Sequence, residues 1–134
     1  MTVVPDARPT ADDSVLVSIA AGPMVTPVLG RIISVFAARA ELSLDRLNDA
    51  VLISDAVAGS GALHQPSARV QVELEASHRR LVLRVGPLVD GGGERLLHAS
   101  DIPGVGAVLS RLADEVQVRS TDEGDFLQLA LVEP

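Results

Sequence analysis

The chain has 134 residues, a length that suits one domain, and 47% of them are apolar, enough to build a core. Its net charge of −7 gives no basic face for a nucleic acid, and its eleven basic side chains are all Arg, which rules out P-loop lysine and Schiff-base chemistry. The absence of Cys rules out disulfides, thiolate metal sites and a thiol nucleophile.

Residues 1–13 read as a flexible lead-in rich in Pro and Asp, with no basic-then-apolar leader pattern, and residues 14–134 as a single domain. No apolar run reaches the ~18 residues of a membrane span, so no membrane partner is expected and the expected location is cytoplasmic. Ser14–Ala20, rich in Val and Ile, predicts a strand that Gly22-Pro23 ends. Met24–Ala40 predicts a helix, with Pro27 tolerated in its first turn. Its stripe is Val28, Ile32, Val35, Phe36 and Arg39, with Phe36 as the largest core contributor. The width of that apolar face allows partner contact as well as burial.

Ser43 is positioned as an N-cap for a second helix, Leu44–Ala58, whose stripe is Leu44, Leu47, Val51 and Ser54. Arg46, Asn48, Asp49 and Asp55 lie off it. Gly59-Ser60-Gly61 ends or frays that helix, since each internal Gly costs ~1 kcal/mol against Ala. Val70, Val72 and Leu74 alternate with Gln71, Glu73 and Glu75, the pattern of a half-buried strand. A turn at Ser77–Arg80 leads into its hairpin partner, Leu81–Val85. Gly86–Ile102 reads as a long loop, of a length that marks function or mobility. A short helix over Gly104–Ala113, a strand over Glu115–Ser120, a turn at Asp122-Glu123-Gly124 and a strand over Phe126–Val132 complete the chain. The sum is an α/β two-layer sandwich, a mixed but mostly antiparallel sheet with helices on one face.

The order of these elements, and three stretches within it, resemble the GHKL ATPase superfamily (the Bergerat fold, that of histidine-kinase ATPase domains). Within it the chain looks most like the small bacterial anti-sigma-factor serine kinases. The stretches are Ala20-Ala21-Gly22-Pro23, the acidic segment Leu44–Val57, and Gly104-Val105-Gly106 through Val116. In that family a Glu on the second helix is the general base for a serine attacking the γ-phosphate of ATP, and an Asn one turn later holds Mg²⁺. The resemblance sets Asp55 at the Glu position and Gly59 at the Asn position. Asp is one methylene shorter than Glu, and a displacement of ~1 Å at a reacting centre costs ~10²-fold in rate. Glycine has no side chain with which to ligate a metal.

The adenine box is expected directly after Val85, where Gly86-Pro87-Leu88 stands; Asp90-Gly91-Gly92-Gly93 follows four residues late. Asp90 and Gly92 are therefore the adenine-side candidates, and Gly104 and Gly106 the phosphate-side ones, at a helix start with free N–H groups. Each has a plainer reading: Asp55 as a solvated carboxylate, the glycines as turn and helix-start residues. His64, His78 and His98 lack metal-ligand spacing, Arg79-Arg80 suits a polar turn, and Arg95 is the single lid-type cation. The resemblance implies a regulatory protein that binds a sigma factor or a STAS-type anti-anti-sigma partner, usually as a homodimer, using ATP and Mg²⁺ where it acts as a kinase. The alternative is an interaction module of the same fold that binds no nucleotide. The first helix and the loops near Asp55 are the expected interfaces.

Overall fold

The computed structural model describes residues 13–60, 69–99 and 108–134. Its elements run β1 (Asp13–Ala20), α1 (Val25–Arg39), α2 (Leu44–Ser60), β2 (Arg69–Ser77), β3 (Arg80–Leu88), α3 (Gly92–His98), α4 (Val108–Leu112), β4 (Glu115–Thr121) and β5 (Gly124–Val132). The strands form one sheet in the order β1-β2-β3-β5-β4. Every pairing among the described strands is antiparallel.

Strand alternation separates two faces. Val70, Val72, Leu74 and Ala76 of β2, Leu81, Leu83 and Val85 of β3, and Leu127, Leu129 and Leu131 of β5 join the buried residues of all four described helices in one aliphatic core. The helices therefore lie on one face, and the fold is a two-layer α/β sandwich. Val15 and Ile19 from β1, and Val116 and Val118 from β4, close the core at its two edges.

On α1 the fully buried row is Val25, Leu29, Ile33 and Ala37, one position away from the expected stripe. Phe36 is only half-buried, and Val35 is 52% exposed. The helix packs on both α2 and β2, so its buried arc centres between the two neighbours and leaves Phe36 at the rim. On α2, Ala50, Ile53, Ser54 and Val57 are buried, whereas Leu44 is 73% exposed in the first turn. Ser43 caps that helix: its Oγ accepts the Arg46 N–H at 3.3 Å. The cap is held in turn by the chain end, since the Ser43 N–H donates to Glu133 Oε2 at 2.9 Å.

The long loop expected over Gly86–Ile102 is largely ordered structure. β3 runs on to Leu88, and α3 occupies Gly92–His98, burying Leu96 completely. The turn composition concealed a helix whose first residues are glycines. Gly61, His64, Gly104 and Gly106 lie outside the described residues.

Candidate functional site

Of the predicted site residues that are described, Asp55 and Gly59 lie on α2, Gly92 lies on α3 and Asp90 just precedes α3; both helices pack against α4. Asp55 and Gly59 are exposed and, one turn apart on α2, share a stripe with Asn48 and Leu52. Leu52 is 52% exposed. Asp55 makes no hydrogen bond or ion pair with the described residues. A Cβ built on Gly59 would meet nothing within 4 Å, so packing does not require glycine there.

What fixes α2 is a polar cluster at its opposite end. Arg46 Nη1 donates to Asp49 Oδ2 at 2.8 Å and to the Leu112 carbonyl at 3.4 Å, and Nη2 bonds Asp114. Asp114 Oδ2 also accepts the Val132 N–H at 2.7 Å. One guanidinium thus ties α2 to the end of α4 and to the sheet.

The run Asp90-Gly91-Gly92-Gly93 is the start of α3. Asp90 is exposed, and its carbonyl accepts Arg95 Nη2 at 2.8 Å. Gly91 is the N-cap in the left-handed region at φ 75°, a conformation that disfavours a side chain. Its N–H donates to Asp125 Oδ2 at 3.0 Å, while Asp125 Oδ1 accepts Ser120 Oγ at 3.0 Å. Gly92 and Gly93 are buried, and a Cβ on Gly93 would come within 2.6 Å of Val118 Cγ1. These glycines let α3 lie directly on β4 and β5. Asp125, 4% exposed, is the clamp that holds the start of the helix. The sequence offered no mark of it beyond a carboxylate in a turn.

The second feature missed by sequence reading is on the face of the sheet away from the helices. There Leu16, Glu73, Arg84, Gln128 and Gln117 form one row, a residue from each strand. Arg84 Nη1 donates to Glu73 Oε1 at 2.6 Å and Glu75 Oε1 at 2.8 Å, and Nε to Gln128 Oε1 at 2.8 Å. Burial works against the guanidinium charge, but the bonds and charges of Glu75 and Glu73 outweigh it and hold Arg84 above its ordinary value. Beside this row Leu16, Gly86, Pro87, Phe126 and Arg119 line an open groove of about 380 Å³. The polar alternation of Gln71, Glu73 and Glu75 signalled such a face, but register between distant strands decides which residues meet.

No family model matches this chain, and no curated protein matches it.

Proposed function

We propose that the chain is a regulatory protein-binding module with a GHKL-type fold, of the anti-sigma-factor kind, and that it does not use the family's nucleotide chemistry. The element order and the single helical layer over an antiparallel sheet support the fold reading. The observation that carries the functional reading is the use of the glycine run. Gly92 and Gly93 are buried in α3, and a Cβ on Gly93 would come within 2.6 Å of Val118 Cγ1, so the run serves the packing of α3 on the sheet. Gly59 adds no donor at the position that the resemblance gives to the Mg²⁺ ligand. The residues present do not fit the family's ATP–Mg²⁺ site, so no phosphoryl-transfer step is assigned to them.

Protein contact is the remaining use of the exposed stripe. Leu52 and Asp55 on α2, with Val35 on α1 and Leu44 at the start of α2, present apolar and acidic groups to solvent. Such a mixed surface suits a partner with apolar anchors and basic neighbours. The resemblance suggests a sigma factor or a STAS-type antagonist for that role.

Calorimetric titration with ATP and Mg²⁺, with ADP and metal-free controls, tests the reading. The expected result is no metal-dependent binding at millimolar nucleotide. Exposed Asp55 is the feature that favours the kinase alternative. Metal-dependent micromolar binding, and phosphorylation of an antagonist abolished by Asp55→Ala, would establish that alternative instead. Leu52→Arg is expected to weaken capture of the partner by ~10-fold or more, as loss of an apolar anchor does.

A further inference from the structure

Strand alternation buries Leu127 and Leu129 under the helices and directs Phe126 onto the other face of the sheet, the side of Gln128. Phe126 is one of the two aromatic residues in the chain, yet it takes no part in the aliphatic core. It is half-buried all the same, because it rests on β3. The pairing of β3 with β5 shifts between Val85 and Leu88, and Gly86 stands inside that shift. A Cβ on Gly86 would come within 2.7 Å of Phe126 Cδ1 and of the Asp125 carbonyl oxygen. The missing side chain lets the ring lie against the β3 backbone. With Pro87 it gives an apolar floor to the groove of about 380 Å³ on this face. That volume falls within the ~300–1,000 Å³ of small-molecule pockets.

The charges around the floor are of two kinds. Arg84 is already engaged by Glu73, Glu75 and Gln128. Arg119 and Glu123 also line the groove, are exposed, and make no ion pair with each other or with any other described residue. Arg119 Nε reaches Gln117 Oε1 at 3.3 Å, and the Glu123 backbone N–H donates to Thr121 Oγ1 at 3.2 Å, which leaves the Glu123 carboxylate unengaged among the described residues. The charged lining residues are two Arg and two Glu, so the groove favours neither a polyanion nor a polycation. A matching ligand carries one charge of each sign beside an apolar body.

We infer that the groove binds a free α-amino acid with a large apolar side chain. The ligand carboxylate pairs with the Arg119 guanidinium, its ammonium group pairs with the Glu123 carboxylate, and its side chain covers Phe126 and Pro87. An apolar anion would gain Arg119 but face Glu123, and an apolar amine would gain Glu123 but face Arg119. The zwitterion satisfies both. The groove lies across the sheet from α2, so this inference stands whether or not the partner-binding reading holds.

Titration of the full chain followed by amide NMR tests this, because the spectrum reports where a ligand sits. L-phenylalanine and L-leucine are the probes, with an expected Kd of about 1 mM or below for a ligand of this size. They should shift the amides of Arg119, Thr121, Glu123 and Phe126 and leave those of α2 in place. Glycine, hydrocinnamate and phenethylamine each lack one of the three groups and should bind ~10-fold more weakly or worse. Arg119→Gln and Glu123→Gln alter exposed side chains, so both variants should fold as the parent does, and each should weaken phenylalanine ~10-fold. In Glu123→Gln hydrocinnamate should bind more tightly while phenylalanine loses, an inversion that a structural role for Glu123 would not give. No shift with either probe at ~10 mM overturns the inference. So do shifts confined to other surfaces, hydrocinnamate or phenethylamine binding as well as phenylalanine, or phenylalanine binding that both variants leave unchanged.

Discussion

Removing the Asp125 carboxylate should release the start of α3 from the sheet. In Asp125→Ala two hydrogen bonds to a buried charged acceptor disappear, those from the Gly91 N–H and the Ser120 hydroxyl, each 3.0 Å long. Bonds to a charged group contribute ~1.5–3 kcal/mol each. Ser120 is exposed and regains water on losing its partner, so the lower half of that range applies to it. The expected loss is therefore about 3–5 kcal/mol, a large share of the ~5–15 kcal/mol that a domain has in total. Asp125→Asn is expected to cost only about 1 kcal/mol, because its amide oxygen still accepts from Gly91 and its amide nitrogen donates to Ser120.

With no Trp or Tyr in the chain, urea unfolding is best followed by far-UV circular dichroism. In a thermal scan the alanine variant should melt lower by roughly 10–15 °C. Asp122→Ala, in the exposed turn at 122–123, serves as the control and should stay within ~0.5 kcal/mol. An alanine variant within ~0.5 kcal/mol of the parent would refute the clamp. An asparagine variant as unstable as the alanine one would refute the assignment of its bonds.

Gly93→Ala should destabilise by ~1–3 kcal/mol, because its Cβ would overlap Val118 Cγ1. If that overlap is the cause, adding Val118→Ala recovers part of the loss, and an additive double variant counts against it. Ser54→Ala should leave stability unchanged or raise it by up to ~1 kcal/mol, since the buried Ser54 hydroxyl has no partner among the described residues; a clear loss by urea unfolding would reveal a bond. The Ser43 N–H holds the Glu133 carboxyl below its ordinary value. A carboxyl depressed in the folded state contributes stability above its unfolded pKa and loses it as pH falls through the folded value. The stability gap between the parent and Glu133→Gln should thus be present at neutral pH and close on acidification below the ordinary Glu range. A gap that persists unchanged at low pH contradicts this.

Local chemistry made much of the fold legible in the sequence. The β1 apolar run, the Ser43 cap, the alternation of Val70, Val72 and Leu74, and the turn around Asp122-Glu123 all depend on residues close in sequence, and each stands where the pattern puts it. The antiparallel sandwich follows because hairpins and helical periods leave few ways to cover one apolar sheet face. The candidate site was legible only in part. Asp55 and Gly59 share a face because helical spacing requires it. By contrast, Asp90 through Gly93 read as a loop, because glycine signals turns and conceals a helix start.

Tertiary structure alone decided the rest. Phe36 is a rim residue and Ile33 a core one because α1 meets two neighbours, and the angle between them is not encoded in its own period. Gly93 is required because Val118 sits against it, and Asp125 is a clamp because β5 passes the start of α3. Arg84 meets Glu73 across the β2–β3 hairpin, but it meets Gln128 only through the register of β3 with β5, far apart in the chain. Periodicity specifies which face of an element is apolar. Which residues meet across that face depends on distances that only the assembled chain sets.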